Sequence, residues 1–345
     1  MKLLILGGTA FLGHAVATEA VSRGHDVTCV ARGESGQVPA GAGLVVADRD
    51  RDDALANVAE QHWDAAVDVA RQPGHVRRAG RDLSRAAEHL VFVSTGNVYA
   101  DTKTPGLDES AALLDPLADD SYTDMQAYGP GKVACEQAVL EAFGPKRCTI
   151  ARAGLIGGPG DTSGRSGYWP WRFAHPSTPG GQILIPAASE IPAQVIDVRD
   201  LARWLVDCAE QRLDGAFNAA GERTTLTQVL EVARRVAGFA AEVVAAENDW
   251  LLSEGVSEWA GPKSLPLWLT DPDWRGFCDR NISAAQAGGL RLRPIEDTMR
   301  GALAYEESRA KSHPRAAGLS DADERNLLEA YAANVIRATQ QRRDD

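Results

Sequence analysis

The sequence predicts an α/β fold built on a mostly parallel sheet with helices on both faces. Three observations predict it. In the first 150 residues, short continuous apolar runs alternate with helical stretches, the pattern of strands buried on both sides. The first run ends in Gly7-Gly8-Thr9-Ala10-Phe11-Leu12-Gly13, a glycine-rich turn that opens a helix. A length of 345 residues, 44% hydrophobic and 24% charged, suits about two globular domains with real cores.

Taken in order, residues 3–6 read as the first strand. The helix 11–23 follows, closed by Gly24 where a left-handed residue ends helices. Strands are expected at 27–30, 44–47, 65–69 and 90–93, with a helical stretch at 77–88. Lys132 sits in a helix running to about residue 143, and 148–151 is the sixth strand. After Arg152 the texture changes. Residues 157–181 are rich in Gly, Pro, Ser and Trp and have no clear period. Strands at 194–196 and 217–219 flank a helix from 198 to about 212, and further helices are expected at 226–237 and 295–307. A chain that leaves its sheet, returns and leaves again implies a second domain of several segments. The expected division is 1–154 with 192–221, and 155–191 with 222–345. The polar tail 337–345 is expected to fray.

Charge and cysteine usage narrow the class. Lys and Arg number 36 against 48 Asp and Glu, a net −12 that repels nucleic acid and anionic membrane at long range. Neither is an expected partner. No run approaches the ~18 apolar residues of a membrane span. The apolar start is broken by Gly7 and Gly8 before it reaches the length of a signal peptide. Five widely spaced cysteines suit buried, reduced thiols in the cytoplasm. The seven histidines show no ligand spacing, so no metal is expected.

The glycine-rich turn carries the first chemistry. Gly7 allows a tight strand-to-helix turn, small residues at 8 and 10 let the backbone approach a pyrophosphate, and Gly13 lets the helix lie close to the sheet. The helix N-terminus then offers free N–H groups and partial positive charge to phosphates. Gly7, Thr9, Ala10, Phe11, Leu12 and Gly13 are therefore the expected cofactor contacts. At the end of the second strand, Ala31-Arg32-Gly33 lacks the carboxylate that would bond a ribose 2′-hydroxyl, and Arg32 suits a 2′-phosphate. NADP(H) is favoured over NAD(H) on that ground. Asp48, after the third strand, is expected to accept a hydrogen bond from the adenine amino group.

Tyr128-Gly-Pro-Gly-Lys132 carries the second. Four residues apart on a helix, a phenol and an ammonium share one face. A nearby cation favours the phenolate of a group whose ordinary pKa is about 10. Such a tyrosine can move the proton of a carbinol at neutral pH. Pro130 is tolerated in a first helical turn, which puts Tyr128 at the helix start. Thr95 ends the fifth strand, where hydroxyls face the ligand crevice of a parallel sheet, and it is the candidate holder of the substrate oxygen.

Together these residues resemble the extended short-chain dehydrogenase/reductase superfamily, in its NAD-dependent epimerase/dehydratase branch. The likeness runs from Met1 to about Gly221 and takes in Asp64-Ala-Ala-Val-Asp-Val-Ala70, Glu136, Arg152-Ala-Gly-Leu-Ile-Gly-Gly-Pro-Gly160 and Val195-Ile-Asp-Val-Arg-Asp-Leu-Ala202. It implies a doubly wound Rossmann-type sheet with a smaller C-terminal substrate domain, and Thr95, Tyr128 and Lys132 as the catalytic set. It also implies that Lys132 holds the nicotinamide ribose and that Ala70 and Leu155 line the cofactor. The chain departs from the pattern at Ala10, in a GGTxFLG form seen in an atypical, reductase-like subgroup, and at Ala31, Ala153 and Gly96-Asn97, the last of which removes the dehydratase acid–base pair. Asn97, Tyr168, Trp169 and Arg199 are the candidate substrate contacts. The expected activity is hydride transfer between NADPH and a small-molecule carbonyl or carbinol, by an enzyme that relatives suggest is a homodimer. The alternatives are a nucleotide-sugar epimerase or dehydratase with retained NAD, and a non-catalytic or RNA-associated member of the fold.

Overall fold

The structure, a computed structural model, describes residues 1–187, 190–240, 242–309 and 315–344. The chain divides into two units. The first comprises Met1–Ile156, Ile196–Glu222 and Gly276–Leu292, and the second Gly157–Val195, Arg223–Arg275 and Arg293–Asp345. The segment 276–292, assigned from the sequence to the second domain, packs with the first unit. Its helix Ser283–Ala287 lies on the strand Gly215–Ala219, and the Gly288 carbonyl accepts from Trp204 Nε1 at 2.9 Å.

The first unit is built on β1 (Lys2–Leu6), α1 (Phe11–Ser22), β2 (Asp26–Ala31), β3 (Gly43–Val46), α2 (Ala56–Ala59), β4 (Ala65–Asp68), α3 (Pro73–Leu83), β5 (Leu90–Thr95), α4 (Tyr128–Phe143) and β6 (Cys148–Ala153). The helix Val198–Gln211 and the edge strand Gly215–Ala219 complete it. The seven strands run parallel in the order Gly215–Ala219, β6, β5, β4, β1, β2, β3. This is the doubly wound Rossmann-type sheet. The chain order reverses between β1 and β4, and in such sheets ligands bind outside the carboxyl ends at that reversal.

Strand residues alternate between the two faces, which is why the runs read as continuously apolar. Leu3, Ile5, Val27, Cys29, Val67, Val91 and Val93 pack under α1 and the helix Val198–Gln211. Leu4, Leu6, Val30, Ala66, Leu90 and Phe92 pack under α2, α3 and α4. Pairing of β5 with β6 continues to their ends, Ser94 with Arg152 and Thr95 with Ala153, which carries β6 two residues beyond its expected end. The helix expected at 77–88 begins earlier, at Pro73, a residue whose fixed φ suits a first helical position, and ends at Leu83.

In the second unit, helices Tyr168–Ala174, Leu226–Val236 and Ile295–Ser308 pack together. The strands Ile183–Pro186 and Val243–Ala246 pair in parallel. The aperiodic stretch 157–181 thus contains a helix of seven residues, too short to show a period. The tail expected to fray continues the helix Asp321–Asp344, while position 345 lies outside the described residues. Among the described residues no helix is long and apolar enough to cross a membrane.

At the amino end of β5, His89 is buried, and its Nε2 lies 2.9 Å from Thr149 Oγ1. The Thr149 hydroxyl donates to the Leu213 carbonyl, so the imidazole is the donor of the other bond. Burial, with help from Arg212, lowers the His89 pKa to about 4. A depressed histidine is neutral in both states above pH 6.5, while below it the unfolded chain takes the proton first. Stability is therefore lost as pH falls from about 6.5 towards 4. Allowing for solvent screening, His89 is expected to cost about 1–2 kcal/mol by pH 5. In urea unfolding, the stability gap between wild type and His89→Gln should narrow by that amount between pH 7.5 and pH 5. A gap that stays constant removes the buried imidazole as the cause.

Candidate active site

Four strand ends and two helix starts build the candidate site, all in the first unit. At the end of β1, a side chain at position 13 would collide with the Gly7 carbonyl, so Gly13 is what lets α1 cross directly over the turn. Ala10 is the N-cap of α1. No side chain caps that end, and no acidic residue stands in its first turn. Its first N–H groups are therefore available to an anion. Thr9 and Leu12 are buried, Ala10 is exposed and Phe11 takes a positive φ of 31°. Gly8 has a packing role besides the one expected. A Cβ there would strike Cys29 of β2, so its small size also serves the packing of the sheet.

At the end of β2, Arg32 is exposed and lies 3.4 Å from Glu34. It also stands close enough to Asp50 to contribute to lowering that carboxyl, an effect led by the hydrogen bond from His75. Asp48 is exposed and accepts from the Asp50 amide at 3.1 Å.

At the end of β4 the sequence reading missed a buried clamp. Asp68 is fully buried and takes two bonds from Arg49, at 2.7 and 2.9 Å. The same carboxylate accepts from the Ala70 amide at 2.8 Å. A carboxylate inside the apolar run 65–70 is itself a signal, because a buried charge needs a partner. Nothing local said that the partner would be Arg49.

Lys132 lies 2% exposed in α4. Its ammonium donates to the Ala70 carbonyl at 2.8 Å and to the Val93 carbonyl, tying together the ends of β4 and β5. Desolvation lowers its pKa to about 8, against the opposing pull of Cys135, Asp68 and Glu136. Lys132 has three N–H donors and these carbonyls take two. Tyr128 is the first residue of α4 and is half-buried. Gly129 and Gly131, poor helix formers, leave room for the Asn97 carbonyl and the Tyr122 ring.

Thr95 is 6% exposed. Its hydroxyl donates to Asn97 Oδ1 at 3.0 Å and accepts from the Asn97 amide at 3.3 Å, capping the turn Gly96–Val98. Leu155 is buried in the short strand Leu155–Gly157.

Three of the four candidate substrate contacts are otherwise engaged. Tyr168 and Trp169 are fully buried, and Trp169 Nε1 donates to the Pro266 carbonyl at 2.8 Å. They are core of the second unit, because apolar rings in a helix of seven residues fill its interior. Arg199 forks onto Asp197, the cap of its own helix, at 2.9 and 2.7 Å. Only Asn97, half-buried beside Thr95, keeps its place near the strand ends.

Two more clusters were not visible in sequence. Behind the strand ends, Arg152 and Glu136 form a buried ion pair at 2.9 Å. Burial opposes the Arg152 charge, but bonding to Glu136 and attraction to Tyr99 outweigh it and raise the pKa. Ser94 also donates to Glu136, and Tyr99 donates to Asn218 at 2.6 Å. At the amino ends of β4 and β5, His62, Asp64 and Glu88 bring their ligand atoms within 4.8 Å. There Glu88 is paired to Arg212 and bonded to His62, so the group closes on itself.

The sequence model of the NAD dependent epimerase/dehydratase family matches residues 3–88, from β1 to the approach to β5. The expected family resemblance is there. The chain is also similar to a 2-alkyl-3-oxoalkanoate reductase of Stenotrophomonas maltophilia, 31% identical over 180 residues, or 47% of this chain and 52% of that protein. It therefore spans about half the length of the curated relative that it matches. Among solved structures it is similar to the UDP-N-acetylglucosamine 4-epimerase of Bacillus cereus, at 16% identity and a TM-score of 0.64 over 90% of this chain and 98% of that one. It is also similar to the UDP-glucose 4-epimerase of Thermus thermophilus in complex with NAD, at 19% identity and a TM-score of 0.59 over 90% and 100%. At such identities the likeness is one of fold. The epimerase/dehydratase match coincides with the glycine-rich turn and the β4 end, the part of the site that holds Gly13, Asp68 and Ala70.

Proposed function

We propose that the chain is an NAD(P)-dependent oxidoreductase of the short-chain dehydrogenase/reductase type, working between NADPH and the carbonyl or carbinol of a small molecule. The observation that carries this reading is Lys132, buried, held at the ends of β4 and β5, and one helical turn from Tyr128. The residues fit a dinucleotide. The first turn of α1 is uncapped and free of carboxylates, and Gly13 lets that turn come close to the sheet. When bound, the cofactor supplies the hydride.

The chain's own groups do the rest. The uncapped N–H groups of α1 hold the diphosphate. Ala70 and Leu155 flank the nicotinamide end, and the third N–H of Lys132 holds its ribose. Thr95, turning its hydroxyl from Asn97, orients the substrate oxygen. Tyr128 delivers or removes the proton at that oxygen, with the Lys132 charge favouring its phenolate. The relative's name points to ketones bearing a nearby carboxylate, and a 2-alkyl-3-oxoalkanoate is the first substrate to assay.

One observation favours a second reading, an epimerase with retained NAD. Glu34 lies 3.4 Å from Arg32, so a carboxylate stands just past the end of β2, the region where an acidic residue would bond a ribose 2′-hydroxyl. Parallel titration with NADPH and NADH separates the two, and Glu34→Gln sharpens the test. If Arg32 serves a 2′-phosphate, releasing it from Glu34 should tighten NADPH about 3–10-fold and leave NADH nearly unchanged. Tighter NADH in the wild type, weakened by Glu34→Gln, together with cofactor that copurifies and no net NADPH consumption, would favour the second reading instead.

A further inference from the structure

Arg71 is absent from every role assigned above, yet it follows directly on Ala70, whose carbonyl holds Lys132. Its guanidinium carbon lies 5.3 Å from the centre of the Tyr128 ring, within reach of a cation–π contact. One contact holds its side chain and another its backbone. Nη2 lies 3.4 Å from the Met125 sulfur, and the Arg71 carbonyl accepts from Tyr122 Oη at 3.0 Å. The Tyr122 ring closes the other side, 6.4 Å from that of Tyr128. The backbone before Arg71 is fixed in turn, since Asp68, clamped by Arg49, accepts from the Ala70 amide. Two consecutive residues thus act on both members of the tyrosine–lysine pair.

We propose that Arg71 is a positioning residue for Tyr128, holding its ring and giving its phenol a second fixed positive charge beside that of Lys132. The inference rests on the reading of Tyr128 as the acid–base group. A guanidinium is suited to this because it stays charged at every working pH and lies flat against a ring. A lysine whose ammonium is lowered to about 8 by burial loses its charge as pH rises, and Arg71 contributes to that lowering. The guanidinium would keep the phenolate favoured above the pH at which Lys132 goes neutral. On the elements around the ring the other titratable groups include Tyr122, Asp124 and Cys135, with Glu136, paired to Arg152, and Glu141 further along α4. Burial raises Tyr122 and Cys135 to about 12, and Asp124 caps the turn Met125–Ala127.

The test needs no substrate. In protein carrying ¹³Cζ-labelled tyrosine, six resonances are expected, and that of Tyr128 is the one missing in Tyr128→Phe. Its titration is then followed in wild type, Arg71→Gln and Arg71→Lys. Arg71→Gln should weaken Tyr128 ionisation about 3–10-fold, a rise of ~0.5–1 pH unit, while Arg71→Lys keeps most of the wild-type value. A Tyr128 midpoint unmoved in Arg71→Gln overturns the proposal. So does an equal rise in both variants, since the charge would then not be the agent. If Arg71→Gln does not fold, Arg71→Met in its place gives the same reading. Should Tyr128→Phe keep full turnover, the acid–base reading fails while this titration still reports on the contact.

Discussion

Tyr128→Phe is expected to lower turnover about 10²–10⁴-fold while leaving stability and cofactor affinity nearly unchanged. The substitution removes one oxygen from a half-buried ring at a helix start, so nothing in the core is lost. What is lost is the group that moves the proton at the substrate oxygen, and a loss confined to the transition state lowers kcat and kcat/KM together. The measurement is NADPH consumption with the ketone or aldehyde that the wild-type protein reduces fastest, alongside a cofactor titration and urea unfolding of both proteins. The pH profile adds a second check. Lys132 is depressed to about 8, chiefly by burial, so its charge is present below that pH and lost as pH rises through it. Wild-type turnover should therefore decline in part above about pH 8, the Arg71 charge remaining, and Tyr128→Phe should show a flat residual rate there. Turnover retained by the phenylalanine variant would remove Tyr128 from the mechanism and leave Lys132 as a purely structural tie between β4 and β5.

The parts of this site legible in the sequence are those whose chemistry is local. Gly13 must be small because a helix crosses a turn six residues earlier, and Tyr128 and Lys132 share a face because they lie one helical turn apart. The parts that were not legible depend on what the fold brings together. Gly8 reads as a phosphate-facing glycine, but that Cys29 of the neighbouring strand also requires a small residue there shows only in the fold. Asp68 finds Arg49 nineteen residues away, across a strand exit, and the charge itself was visible while its partner was not. Tyr168 and Trp169 sit in a glycine- and proline-rich stretch that looks like a pocket wall, but their burial is a property of the surrounding helices. The same holds for the segment 276–292, which returns to the sheet edge through Trp204 without any periodic signal of its own.

Arg152→Met should be the most destabilising single change near the site, at about 3–5 kcal/mol. Arg152 and Glu136 are 6% and 2% exposed, and removing the guanidinium strands the Glu136 carboxylate without its ion partner. It also takes a donor from Tyr99 Oη and from the Glu109 carbonyl. The cost is therefore that of uncompensated burial, which exceeds what the intact pair contributes. This distinction has a measurable consequence. Arg152→Met with Glu136→Leu removes both charges and fills the space with apolar groups, and it should recover most of the stability lost in the single variant. Ser94 would lose its acceptor, leaving a residual cost of about 1 kcal/mol from one buried hydroxyl. Ser94 directly precedes Thr95 in β5, so the double variant should fold well yet hold Thr95 less firmly, with KM rising more than kcat falls. Urea unfolding of the wild type and the single and double variants decides the energetic claim. A double variant as unstable as Arg152→Met alone would mean that the web stabilises the strand ends by its own bonds and not merely by neutralising one another's charge.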